Sequence, residues 1–286
     1  MQIDWRAAAV LLAIPLLFLL AFFAVPFAVV MVDSLSAGDG GFGVSQYAKL
    51  LSDWYYFDVL WFTLRVSLWV TLVSFVIGYV LAYVMTRMVQ RRWLRRLLYI
   101  AVITPLFTSN IVRSFGWMII LGREGLVNQS LLLGGIIDRP LALLNSELSI
   151  VIGMSYIMTP FMVLTIAAVL QNIDRTLEHA AQDLGATPVV SFLKVTFPLS
   201  MPGVIAGSLI VFTLSVSAYV TPSILSGGKK TVMSMLIYQQ YASIFDFHFG
   251  AALAVALLLT TLVLLALSSI ASSLRPGKRK LLGATV

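Results

Sequence analysis

Few residues in this 286-residue chain are of a type that can do chemistry. Cysteine is absent, so disulfides, iron–sulfur clusters and thiolate-ligated zinc are excluded. The two histidines, His179 and His248, both lie outside the long apolar runs, so no buried Ser–His nucleophile can be assembled. Catalytic residues, metal ligands and a bound cofactor are therefore not expected. Three groupings remain. Arg113, with Asn110, Ser114 and Trp117 on the same helical face, is an ionisable group inside an apolar run, a costly placement that by default suggests function. It reads either as a pathway or gate residue, or as an arginine that snorkels to headgroups or braces a neighbouring helix. Hydroxyls spaced four apart, Ser155 with Thr159 and Thr213 with Ser217 and Thr221, either line a polar route or pack helices together. The third grouping is LEHAAQDLGATPVVSFLKVTFPLSMPG, residues 177–203, a polar stretch between two apolar ones.

The elements that must position these residues follow from composition. Hydrophobic residues make up 60% of the chain and charged residues 11%, with a mean hydropathy of +0.97. Soluble domains carry about 25% charged residues, so this chain has too little polar surface to coat a globule in water. Six runs reach the roughly 20 apolar residues that cross a bilayer: 7–32, 62–86, 97–121, 148–170, 203–225 and 250–273. Their length and lack of alternation exclude a β-barrel, and the expected fold is an all-α integral membrane protein with six transmembrane helices in one domain, 1–286. The first run follows Arg6 and far exceeds a signal-peptide core, so it is read as an anchor rather than a cleaved leader. Ser67, Thr71, Ser74, Gly78 and Ala82 form a small-residue stripe on the second span, expected to pack.

Lysine and arginine set the orientation. With the N-terminus in the cytoplasm, twelve lie inside (Arg6, Arg87, Arg91, Arg92, Arg95, Arg96, Arg175, Lys194, Arg275, Lys278, Arg279, Lys280) and six outside. Both termini are then cytoplasmic, as is the loop 171–202. The net charge of +7 is loop charge that orients the chain in a lipid bilayer, and nucleic acid is not an expected partner. SGGKKT, 226–231, lacks the spacing of a phosphate-binding loop, so no nucleotide site is expected.

Within the loop, Asp174 is placed to cap a helix over 175–184, with Gly185 as its stop. Leu177, Ala180, Ala181 and Leu184 recur at helical spacing, and the two alanines allow entry into a tight groove. Thr187 caps a second helix with Pro188 at its first position; Pro198 and Pro202 are expected to end it. Such a helix–Gly–helix corner serves as a mechanical handle or lies flat on the membrane surface.

At these residues the chain resembles the permease subunits of ATP-binding-cassette importers, which carry a cytoplasmic E-A-A-x3-G-x9-I-x-L-P motif between two late spans. His179, Ala180, Ala181, Gly185, Val195, Phe197 and Pro198 stand at its positions, with His179 replacing the glutamate and Glu178 just before it. NIVRSFGWMIILGREGLVNQSLL, IIDRPLALL and YIMTPFMVLTI are similar to permeases of the spermidine/putrescine type, and the likeness runs from about residue 60 onward. The resemblance implies a type I importer permease architecture and a coupling helix, with Leu177, Glu178, His179, Ala180, Ala181, Asp183, Leu184, Gly185 and Pro198 meeting an ATPase subunit. It further implies a second homologous permease, two ATPase subunits that use ATP and Mg, an extracytoplasmic substrate-binding protein and a bacterial cytoplasmic membrane. The solute is then a polyamine or related amine, with amino-acid-like compounds, organophosphonates and iron as alternatives. A proton-coupled carrier would need an intramembrane Asp, Glu or His, and the six runs contain none.

Overall fold

The structure, a computed structural model, describes residues 5–37 and 41–273; Asp39, Arg275, Lys278, Arg279 and Lys280 lie outside the described residues. The chain runs through α1 (Trp5–Leu19), a π turn (Leu20–Ala24), α2 (Val25–Ser34), α3 (Ser45–Ser52) and α4 (Trp54–Tyr83), which ends in a second π turn (Val84–Met88). Next come α5 (Arg92–Ile103) with a 3₁₀ turn (Thr104–Phe107), α6 (Asn110–Leu121), α7 (Leu126–Leu133), α8 (Glu147–Asn172) and α9 (Thr176–Asp183). α10 (Pro188–Ser191) passes through a π turn (Phe192–Thr196) into α11 (Phe197–Ser217), and α12 (Val220–Leu225), α13 (Met233–Gln239), a π turn (Gln240–Ile244) and α14 (Phe247–Ser273) complete the order. No strand occurs among the described residues, apart from one isolated bridge between Ser36 and Phe42. A backbone in lipid must satisfy its polar groups internally, and helices do so within one segment.

Five helical segments are long and apolar enough to cross a membrane, and a bent pair makes a sixth. The bent pair corrects the expected third span. Instead of one helix over 97–121, Arg92–Phe107 and Asn110–Leu133 meet at 100°. Pro105 cannot donate into the ladder, and Thr108 and Ser109 turn extended, with ψ of 142° and 137°. The expected fifth span is also two pieces: α11 stops at Ser217, Ala218 is extended, and α12 starts afresh at Val220. Conversely, Pro198 and Pro202 do not end a helix. The chain stays helical from Pro188 to Ser217, because the π turn closes on Phe197 N–H→Phe192 O and the helix continues past Pro198, which has no N–H to place.

Two compact units divide the chain. In the unit formed by Met1–Asp58 and Leu236–Val286, α14 packs on α2 and α3. Lys49 Nζ lies 3.6 Å from the Asp246 carboxylate and 4.0 Å above the buried Phe249 ring, which Tyr56 meets edge-on.

The other unit, Val59–Met235, is built on α8. Ser146 and Ser149 form a reciprocal capping box at its start, and it is mostly buried and apolar around most of its circumference. α11 approaches α8 where side chains are smallest: a Cβ at Gly207 would stand 2.4 Å from Thr165 Oγ1 and 2.7 Å from Met162 Sδ. From the α4 side Ser67, Thr71, Ser74, Gly78 and Ala82 are all buried, and Gly78 sits against Met162; the expected packing face is that face. Tyr79 on α4 shares a 2.8 Å hydrogen bond with Ser200 on α11. Arg65 holds Glu147 through two nitrogens, Nε at 3.1 Å. The wholly buried Asn128 donates to Gly122 O and Leu141 O and accepts from Leu141 N–H, which pins the long loop ahead of α8.

Gly207→Val must push Thr165 and Met162 aside. We expect it to destabilise this unit by about 1–3 kcal/mol, the usual cost of overpacking, read as a lower midpoint in a thermal-unfolding assay of the detergent-solubilised protein.

Candidate functional site

The 176–191 corner is built by local rules. Asp174 Oδ1 accepts the Thr176 N–H at 2.9 Å, and that bond, with the Thr176 hydroxyl, holds the carboxyl below its ordinary value. α9 ends in a Schellman pair: Gly185 N–H donates to Gln182 O at 2.8 Å and Ala186 N–H to Ala181 O at 3.0 Å. Gly185 has φ +89°, the left-handed region that side chains disfavour, although nothing lies within 4 Å of where a Cβ would sit. The obstacle to another residue there is backbone conformation, not room. Thr187 Oγ1 then accepts the Val190 N–H at 3.3 Å, and Pro188 opens α10.

This corner presents an apolar tip. Leu184 is 90% exposed, with Leu177, Ala180 and Val189 also open and Ala181 half-buried. His179 and Asp183 are exposed beside them, and Pro198 is exposed at the start of α11. Glu178 does not join this face. Its side chain turns inward, 18% exposed, with Oε1 at 3.2 Å from Arg87 Nε. Periodicity placed Glu178 correctly on α9, but not its partner, because Arg87 is distant in sequence and looked like one more orienting charge.

The pathway candidates divide into two places. Ser155 and Thr159 on α8 and Trp117 on α6 line a cavity of about 430 Å³, with Val73, Ile77, Tyr156 and Pro160 among its other walls. Trp117 and Tyr156 meet edge to face at 5.7 Å. Thr159 Oγ1 donates to Ser155 O, while the buried Ser155 hydroxyl has no partner. The cavity is mostly apolar, and the break in the third span forms part of its wall through Pro105. Arg113 donates to Asn110 Oδ1 on its own helix, and its Nε and Nη1 are buried without partners. Ser114 turns to the other side and shares a 2.9 Å hydrogen bond with Thr221.

That bond settles the proposed ladder on the fifth span. Thr221 belongs to α12 and is buried against α6, so it does not continue the row of Thr213 and Ser217. Those two remain exposed on α11, each hydroxyl bonded back to its own helix. Among the described residues no group of three or more His, Asp or Glu could hold a metal ion.

Known proteins share this design. The family model for the binding-protein-dependent transport system inner membrane component matches residues 74–279. The spermidine/putrescine transport system permease protein PotB of Salmonella typhimurium (strain SL1344) is 32% identical over 216 residues, covering 76% of this chain and 74% of the relative. PotB of Escherichia coli (strain K12) is also 32% identical, covering 76% and 78%. A chain of a bacterial alginate ABC transporter, crystallised with an alginate pentasaccharide-bound periplasmic protein, has the same fold, with a TM-score of 0.78 over 93% of each chain at 19% identity.

Arg113→Ala removes a half-buried cation from α6, the helix that carries Trp117 of the cavity wall, without opening a core. We expect normal amounts of protein in the membrane and solute uptake reduced about tenfold, the effect of ~1.4 kcal/mol on the transport barrier. Lost protein with normal uptake per remaining molecule would make Arg113 an anchor instead.

Proposed function

The chain belongs to the family of binding-protein-dependent transport system inner membrane components, the permeases of ABC importers, and on that premise we propose that it forms half of the translocation pathway for a polyamine or related amine. It is a multi-pass membrane protein and not an enzyme. The corner carries the proposal: a stiff helix–Gly–helix element with an apolar tip that no described residue covers. A tip of this kind suits a cleft on a separate ATPase subunit. Each of two permeases would dock one of two ATPases there, and ATP with Mg would be used in those subunits. A second, homologous permease would complete the pathway, and an extracytoplasmic binding protein would deliver the solute.

The orientation proposed with it puts both termini and the corner in the cytoplasm of a bacterial cell, below the inner membrane. The arginine cluster at Arg91, Arg92, Arg95 and Arg96 supports this, as charge of this kind is retained on the inside. The amine assignment leans on the PotB relatives. One observation favours a second reading. Two unpartnered guanidinium nitrogens on Arg113 suit a solute bearing a carboxylate or phosphonate better than a dication.

Gly185→Val tests the corner. A β-branched residue in the left-handed region costs about 1–2 kcal/mol, and the helix either strains or runs on. Leu177, Ala180, Ala181 and Leu184 then no longer face one cleft together. We expect normal membrane insertion, ATPase recovery in pull-downs reduced about tenfold, and loss of ATP-driven spermidine uptake. His179→Glu, which leaves the exposed face intact, keeps both. Wild-type ATPase recovery in Gly185→Val would show that the corner is not the docking element.

A further inference from the structure

We propose that Arg87 and Glu178 form a positioning clasp through which movement of the corner is passed to α4. The inference rests on the reading of the corner as the ATPase-docking element. Three strands of chain converge on this pair. Glu178 Oε1 stands 3.2 Å from Arg87 Nε, as an ion pair rather than an aligned hydrogen bond, and accepts the Thr196 hydroxyl at 2.9 Å. Arg87 Nη2 donates to Ile173 O at 3.0 Å, and Arg175 Nη2 returns the contact by donating to Thr86 O at 2.6 Å. Ser191 Oγ donates to Glu178 O at 3.3 Å. The π turn that ends α4 is thereby tied to the end of α8, to α9 and to the π turn that opens α11.

The pair is dry. Arg87 is 6% and Glu178 18% exposed, and Thr196 and Ser191 are buried. Well-packed apolar residues hold a fold together as well as a buried ion pair does, or better. What the charges add is a single registry: a guanidinium and a carboxylate in low dielectric tolerate one alignment and penalise others. That suits a joint that must transmit motion without slipping.

Its position says where the motion goes. From the π turn, α4 runs back through Leu81, Tyr79, Ile77 and Val73; Tyr79 is bonded to Ser200 on α11, and the other three line the cavity. Polar contacts spread over Thr86, Arg87, Ile173, Arg175, Glu178 and Thr196 make the corner and the foot of α4 one piece. A push on the exposed tip of α9 therefore reaches the cavity wall by way of the turn Val84–Met88, which carries Thr86 and Arg87.

The chain has no cysteine, so one introduced at Ile77 reports on this wall alone within the subunit. The full complex would be captured through this chain, placed in liposomes, and the labelling rate of Ile77→Cys measured with and without ATP. We expect ATP to change that rate when the clasp is intact. Arg87→Met and Glu178→Gln should each shrink the ATP-dependent change about tenfold, within the range of ordinary coupling energies. The double variant should lose no more than the worse single one, because both changes break one joint. Thr196→Val, which keeps both charges, should shrink the change by a smaller factor. An unaltered ATP response in the variants, even with less complex recovered, would mean a brace for the fold and overturn the clasp, as would additive losses in the double variant. If Arg87→Met and Glu178→Gln yield no complex, an unchanged response in Thr196→Val overturns it instead. No ATP response in the wild type, with the ATPase present, also overturns it. Failure of the wild type to capture any ATPase would sink the docking reading itself.

Discussion

Close approach of α4 and α11 to α8 is the contact on which the unit Val59–Met235 depends. Lipid offers no hydrophobic drive for one helix to leave it for another, so association in a bilayer relies on close van der Waals packing and on hydrogen bonds between helices. Glycine and serine faces meet that demand here. Gly207 on α11 and Gly78 on α4 both lie against Met162, so a single methionine of α8 is held from two sides. The Tyr79–Ser200 hydrogen bond joins α4 to α11 directly, and the rings of Phe192 and Phe197 lean on Tyr79 at 5.8 and 5.5 Å.

Around it, two spans have irregular backbone. The third span breaks at Thr108 and Ser109, and the fifth gives way to α12 after Ala218. The first break leads into α6 and the second into α12, and the Ser114–Thr221 bond couples the two helices. Non-helical backbone at membrane depth is tolerated where protein covers it or where it lines a cavity, and the wall that includes Pro105 is such a place. The opposite holds at the end near Pro198, where a π turn keeps the helix continuous from the corner into α11. Stiffness is kept in the element that would carry force, and the bend of the third span lies beside the cavity.

The corner shows two kinds of organisation side by side. Its shape is local: an Asp cap, a Schellman pair at Gly185, a Thr cap and Pro188 at the first position of α10. Its anchorage is not local, since Arg87 and Thr86 come from another span. An exposed leucine tip on a rigid, tethered frame is what a partner subunit can grip without deforming it.

Local rules acting on neighbours in sequence made much of this legible from the residues alone. Apolar run length located the spans, the small-residue stripe on α4 announced its packing face, and Gly185 announced its left-handed turn, because each effect is set within a few residues. The same reasoning failed where distant groups decide. Pro198 and Pro202 looked like helix ends, yet tertiary packing holds a π turn that lets the helix pass. Thr221 looked like the third rung of a hydroxyl ladder, and the break after Ser217 took it to α6. Glu178 looked like part of the docking face until Arg87 drew it inward. Spacing along a chain specifies which residues share a helix face; it does not specify which buried charge or hydroxyl will find which partner. That choice is made when helices pack, since an unpaired polar group in a low-dielectric interior is costly and the nearest complementary group in space is favoured.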